Sequence, residues 1–394
     1  MRYLTDLNLK NKRVLIREDL NVPISDHEIN NDRRIEAAIP TIQYAIDSGA
    51  RVMICSHLGR PAEGEFNPEF SLTPVAHRLT ERLGKPVTLA PLGIPAQAPA
   101  PGEILLWENL RFNAGEKNND PELAKKMAAT CDVFVMDAFA TAHRRHASTY
   151  GIAEYAPEVC GGLLLKKELE TLEEICNAPA KPTLAIIGGS KVSTKLMLLD
   201  ALIKKTDQLI VGGGIANTFI AAAGFPVGQS LCEFDFIEKA KKIIRTAEQL
   251  NIDIPLPIDV IVAKQVSKNA VTEIKLISEI AGDDMILDIG PQTIARFVSM
   301  IKNAKTILWN GPLGVFEIEA FAAGTQQLAL AIAKNKQALT VAGGGDTLAA
   351  IDKWHLGEEL SYISTGGGAF LEYIEGAPLP VIELLKRRQH AKTN

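Results

Sequence analysis

Short runs dominated by Val, Ile and Leu recur along the chain at 13–17, 51–55, 103–107 and 133–136. They continue at 183–187, 208–211, 257–262, 285–289, 306–309, 339–342 and 362–364. Several are nearly continuous in apolar character, as strands covered on both faces are. Between many of them the apolar period lengthens to that of a helix, at 35–48, 122–129, 236–250 and 320–335. Alternation of this kind predicts parallel sheets with helices on both sides. The strands fall into two groups, roughly 10–155 and 183–370. A charged helical stretch at 163–177 and the Pro-rich Ala178-Pro179-Ala180-Lys181-Pro182 separate them. The expected fold class is α/β: two Rossmann-like, three-layer α/β/α domains, each with a mainly parallel sheet, joined by a helix and hinge. The expected boundaries are 1–170, a connector at 171–182 and 183–375.

Composition narrows the function without changing that picture. The 394 residues are 46% hydrophobic and 23% charged, which suits large globular cores. A net charge of −5 argues against a general binder of nucleic acid or membrane surfaces, so any anionic ligand needs a local basic patch. Five scattered cysteines without a CxxC pair predict neither a disulfide framework nor a thiolate zinc site. The start has no apolar leader, and no long uncharged apolar run occurs. The expectation is a reduced, cytoplasmic protein that does not span a bilayer.

In open parallel α/β sheets, ligands sit beyond the carboxyl ends of the strands. In the first half those ends read Arg17-Glu18-Asp19-Leu20-Asn21, Ser56-His57-Leu58-Gly59-Arg60, Glu108-Asn109-Leu110-Arg111 and Asp137 through His143-Arg144, with Arg34 just beyond the first loop. One such arginine is ordinarily a solvated loop residue. Four clusters on one edge, with His57 and His143 beside them, point to a small polyanion held by guanidinium forks.

In the second half the same positions carry glycine. They read Gly188-Gly189-Ser190-Lys191, Gly212-Gly213-Gly214, Gly290-Pro291, Asn310-Gly311-Pro312-Leu313-Gly314, Gly343-Gly344-Gly345-Asp346-Thr347 and Thr365-Gly366-Gly367-Gly368. Glycine lets backbone N–H groups approach a phosphate, and helix N-termini favour negative charge. Turns also need glycine, so each run alone is weak; six in one domain are harder to dismiss. None completes a Walker A loop or a dinucleotide GxGxxG. The pattern predicts a mononucleotide polyphosphate in an unconventional cradle. Lys191 and Lys195, four apart, are expected on one face of a helix's first turn, where a polyphosphate would neutralise them; two solvated lysines are the plainer reading. Asp346 beside phosphates implies a bridging Mg²⁺, or an N-cap, or both. Glu317 is a candidate for ribose hydroxyls.

A polyanion site and a nucleotide site on separate domains suggest phosphoryl transfer, which depends on positioning and charge neutralisation. If the acceptor is a carboxylate, it is already ionised and needs no base. Arg34 and Lys191 are the candidates for stabilising the group in flight. An NAD-dependent oxidoreductase would need the missing GxGxxG, and a nucleotide-gated binding module leaves the Arg/His cluster without purpose.

These motifs strongly resemble phosphoglycerate kinases. Arg17–Pro23, Ser56–Pro61 and Glu108–Phe112 are similar to that family's 3-phosphoglycerate loops; Gly189–Val192, Trp309–Pro312, Gly343–Thr347 and Ser364–Ala369 are similar to its nucleotide loops. The resemblance implies Asp19, Asn21, Arg34, His57, Leu58, Gly59, Arg60, Arg111 and Arg144 around 3-phosphoglycerate or 1,3-bisphosphoglycerate. It implies Gly189, Lys191, Lys195, Gly213, Asn310, Pro312, Glu317, Gly343, Gly344, Gly345, Asp346 and Thr347 around ATP or ADP, with Asp346 on Mg²⁺. Arg34, Lys191, Gly345 and Gly368 are the implied catalytic groups. A monomeric glycolytic enzyme follows, its 376–394 segment packing back on the first domain. Two positions depart from the family: Glu18 stands where Val is usual, and Ala140 where Gly is usual. Neither removes a matched ligand, and the Glu18 side chain is expected to face away from the substrate.

Overall fold

The structure, a computed structural model, describes residues 1–25 and 28–390. The chain forms two compact units: Met1–Glu170 with the chain from Ala377 onward, and Thr171–Gly376.

The first unit contains β1 (Arg13–Arg17), β2 (Ile24–Ser25), β3 (Glu28–Ile29), β4 (Arg51–Cys55), β5 (Val87–Leu89), β6 (Ile104–Leu106), β7 (Val133–Met136) and β8 (Glu158–Gly161). Its main sheet runs in the order β5-β6-β4-β1-β7-β8, and every neighbouring pair is parallel. The apolar runs of β1, β4 and β7 lie at its centre and are buried throughout except at their first residues in β1 and β4. Helices α1 (Arg33–Asp47), α2 (Thr73–Leu83), α3 (Pro121–Ala129) and α4 (Ile152–Tyr155) accompany it. Ile35, Ala38, Ile42 and Ala45 form the buried stripe of α1, at the spacing of one helix face. Asp120 caps α3 by accepting the Leu123 amide at 2.8 Å. Helix α5 (Leu163–Asn177) starts in this unit and ends in the next.

The second unit contains β9 (Thr183–Ile187), β10 (Gln208–Val211), β11 (Asp259–Ala263), β12 (Glu273–Leu276), β13 (Met285–Ile289), β14 (Thr306–Asn310), β15 (Leu339–Gly343) and β16 (Tyr362–Ser364). Its helices are α6 (Leu196–Leu202), α7 (Gly213–Ala222), α8 (Ile237–Gln249), α9 (Pro291–Asn303), α10 (Ala323–Lys334), α11 (Gly345–Lys353) and α12 (Gly368–Glu375). The parallel sheet is β10-β9-β14-β15-β16. The expected strands near 257–262 and 285–289 do form, but as the centre and one edge of a separate antiparallel sheet, β12-β11-β13. The reason is topological: no crossover helix lies between them, so the chain returns through β12 and can pair only antiparallel.

Helix α13 (Pro380–His390) belongs with the first unit. The Val381 amide donates to the Ala142 carbonyl at 3.2 Å, and Arg388 donates to the Ala156 carbonyl at 2.7 Å.

Candidate active site

The carboxyl ends of β1, β4 and β7 carry the charged cluster of the first unit. Arg17, the last residue of β1, is buried, and its guanidinium donates to Ser148 Oγ at 3.2 Å, lies 3.2 Å from His57 Nδ1 and reaches the Glu18 carbonyl. Arg34, in the first turn of α1, pairs with Asp19 at 3.0 Å and donates to the Asn21 carbonyl at 2.8 Å. Asn21 Oδ1 accepts the Gly59 amide at 2.8 Å, and Arg111 donates to the Gly59 carbonyl. Asn109 holds the same loop from below, exchanging hydrogen bonds with Leu58. Arg60 and Arg144 are exposed, and Arg144 Nε donates to His143 at 3.0 Å.

Charge measures how closely these groups gather. Burial pushes His57 well below its ordinary pKa, and Arg17, Arg111, Arg34 and Arg144 push it further. His146 falls to about 4 through burial and then Arg17, Arg144 and Arg111. Arg111 itself is lowered by burial and by Arg144, Arg17 and Arg60. A neutral histidine amid converging arginines is what a polyanion pocket looks like before its ligand arrives. The sequence reading missed Glu116, which is buried and ties Ser148 in place at 2.5 Å, and the part played by Arg17. Glu116 lies in the unremarkable run Gly115-Glu116-Lys117, so no local signal marks it.

The second unit stitches its glycine strand ends together by backbone. The Gly188 amide donates to the Asn310 carbonyl at 2.9 Å, Gly213 to Leu313 at 3.0 Å, and Ile215 to Gly189 at 3.2 Å. Gly188 and Gly311 approach so closely that a Cβ on either would strike the other loop's backbone, and Gly311 has φ of +103°. Asn310 donates to the Gly343 carbonyl at 2.6 Å, and the Gly311 amide donates to Thr347 Oγ1 at 2.7 Å. Around these ends lies a cavity of about 340 Å³, lined by Gly189, Gly213, Leu313, Pro312, Glu317 and Asp346 among others. Gly345 and Gly368 are the first residues of α11 and α12, where amides lack intrahelical partners.

The lysine pair departs from the expected geometry. Helix α6 begins only at Leu196, so Lys191 and Lys195 do not share a helical turn. Ser193 donates from its amide and hydroxyl to Glu233, at 2.8 and 2.7 Å, and this holds the segment as a turn. Lys195 is half-buried, donates to Asn310 and is lowered by burial, with Asp346 and Glu375 opposing. Lys191 is exposed. Asp346 sits in the first turn of α11 beside Gly343 and Gly344.

The phosphoglycerate kinase family model matches residues 4–377. The chain belongs to the phosphoglycerate kinase family. A phosphoglycerate kinase of Francisella philomiragia subsp. philomiragia is 55% identical over 393 residues, which cover 98% of this chain and 99% of that one. The structure of phosphoglycerate kinase from Coxiella burnetii matches with a TM-score of 0.91 at 53% identity, over 98% of this chain and 99% of the other. That from Pyrococcus horikoshii OT3 matches at 0.83 and 33% identity, over 98% of each. The chain is thus a phosphotransferase of glycolysis. It moves a phosphoryl group reversibly between 1,3-bisphosphoglycerate and ADP, giving 3-phosphoglycerate and ATP.

Proposed function

We propose that the first unit binds the phosphoglycerate and the second the nucleotide, and that transfer is direct and in line once the units close about the α5 connector. The convergence of four arginines on neutral His57 carries this reading. Asp19, Asn21, Arg34, His57, Leu58, Gly59, Arg60, Arg111 and Arg144 surround the acid. Arg34 and Arg111 arrive already braced, on Asp19 and on the Gly59 carbonyl, so little side-chain entropy is lost on binding. The cavity beside Gly189, Gly213, Pro312 and Glu317 takes the nucleoside; Asn310, Lys195 and Gly343–Thr347 take the phosphates.

Mg²⁺ fits the donors present. Among the described residues no cluster of three His, Cys, Asp or Glu forms a metal cage, whereas one carboxylate, Asp346, stands beside the phosphate loop. One or two carboxylates plus phosphate oxygens is the usual arrangement for this ion. When bound, Mg²⁺ supplies positive charge that offsets the phosphate oxygens. The chain supplies the rest: Arg34, Lys191 and the amides of Gly345 and Gly368 stabilise charge on the group in flight. The acceptor carboxylate needs no base, being ionised at neutral pH. Five free cysteines accord with a reducing cytoplasm, and the net charge of −5 with small-molecule partners rather than nucleic acid. No described helix is long and apolar enough to cross a membrane. We propose a monomer. The test supplies ATP, Mg²⁺ and 3-phosphoglycerate and couples the acyl phosphate to NADH oxidation; Arg60→Ala with a normal KM for the acid would overturn the assignment of the first unit.

A further inference from the structure

The residue that departs from the family at position 18 is one the reaction leaves unused. Glu18 follows β1 directly, between Arg17 and Asp19, and is wholly buried. Both of its carboxyl oxygens are sealed from solvent and meet no N–H or O–H donor, as is Oδ2 of Asp137. The Asp137 amide donates to the Arg17 carbonyl at 3.0 Å, which sets these neighbouring strand ends in register, and there the two carboxyl groups meet. The other Asp137 oxygen, Oδ1, accepts the Leu165 amide at 2.8 Å, in the first turn of α5. Two ionised carboxylates in one dry pocket would repel, and their orphaned oxygens would lack donors. A single proton between them removes the repulsion and pairs one oxygen of each.

We propose that Glu18 is a positioning residue for the acid substrate: a neutral carboxylic acid that donates its proton to Asp137 and ties the Arg17–Asn21 loop to the first turn of α5. The inference rests on the acid site assigned above. Arg17 and Asp19 face the pair from the same strand end, Cys55 from β4, Cys160 from β8 and Thr41 from α1. Burial and the mutual repulsion of the two groups push Glu18 well above the usual carboxyl range; Arg17 opposes this and Asp19 adds to it. Removing the proton at alkaline pH places two negative charges beneath the loop and loosens it.

The experiment follows the KM for 3-phosphoglycerate from neutral to alkaline pH in the wild type, Glu18→Gln and Glu18→Val, with the KM for MgATP in parallel. Gln keeps a donor but cannot ionise; Val, usual in the family here, covers the case in which Gln does not fold. The substrate phosphate ionises at about pH 6 and adds nothing to the alkaline limb. The wild-type acid KM is expected to climb several-fold, both variants to lack that limb, and the MgATP KM to follow one course in all three. Infrared difference spectra of wild type against Glu18→Gln are expected to show a protonated carboxyl at neutral pH. That readout is independent of the acid-site assignment, which Arg60→Ala tests separately. An alkaline limb persisting in both variants, its absence from the wild type, or no protonated carboxyl would overturn the proposal.

Discussion

The two units build their strand ends by different means. The first presents side chains, each already braced: Arg34 by Asp19 and the Asn21 carbonyl, Arg17 by Ser148, Arg111 by the Gly59 carbonyl. The second presents backbone, with glycine strand ends stitched to one another and helices opening at Gly345 and Gly368. Guanidinium forks select the spacing and planarity of a particular small acid. Backbone amides select phosphate as such, and their geometry is fixed by what the loops lack. The first surface is therefore vulnerable to losing atoms and the second to gaining them.

The sharpest way to break this comparison is to add atoms where the second unit tolerates none. Gly188→Val drives a branched side chain into the Pro312 carbonyl, and the expected outcome is loss of nucleotide binding and of stability in that unit by about 3 kcal/mol or more. Nucleotide titration and hydrogen exchange of β9 check it, and native protection in β9 would refute the close-packing argument. Next in size, Lys191→Ala is expected to lower kcat by about 10²-fold with a smaller change in either KM, as for loss of one transition-state donor; steady-state kinetics decide it. Arg60→Ala is expected to raise the KM for 3-phosphoglycerate by about tenfold while leaving that for MgATP alone. If both constants rose together, the division of labour between side chain and backbone would be wrong.

The smallest effect concerns Asp288, buried under the glycines of the second unit. Its Oδ2 accepts the Gly324 amide at 2.7 Å, Oδ1 meets no donor, and burial raises its pKa to about 7. A raised carboxyl pKa means that the folded state holds the proton more tightly. Its neutral form costs no charge burial at low pH, and stability is lost as pH rises from the unfolded value of about 3.9 through the folded one. Asp288→Asn is expected to flatten that slope, read as denaturant midpoints across the same window. A slope unaltered by the substitution would assign the titration elsewhere.

The strand ends were legible because their chemistry is local: Arg17–Asn21, His57–Arg60 and Gly343–Thr347 announce themselves within five residues or fewer. What failed was governed by contacts distant in sequence. Helix α6 starts late because Glu233, forty residues on, claims Ser193. The antiparallel sheet escaped notice because β12, Glu273–Leu276, is only four residues long and largely exposed, unlike the continuous apolar runs around it. Glu116 and the Glu18–Asp137 pair are invisible for the same reason: each acquires meaning only when the fold sets residues from remote segments beside one another.

Helix α13 joins the first unit although it is the last element of the chain. During synthesis the ribosome therefore releases every strand of that unit long before the piece that completes it, whereas the second unit has all its parts once Gly376 has emerged. Order of translation and order of completion are reversed. The first unit, begun first, finishes last, and a nascent chain stalled at residue 377 holds every part of the second unit but only part of the first.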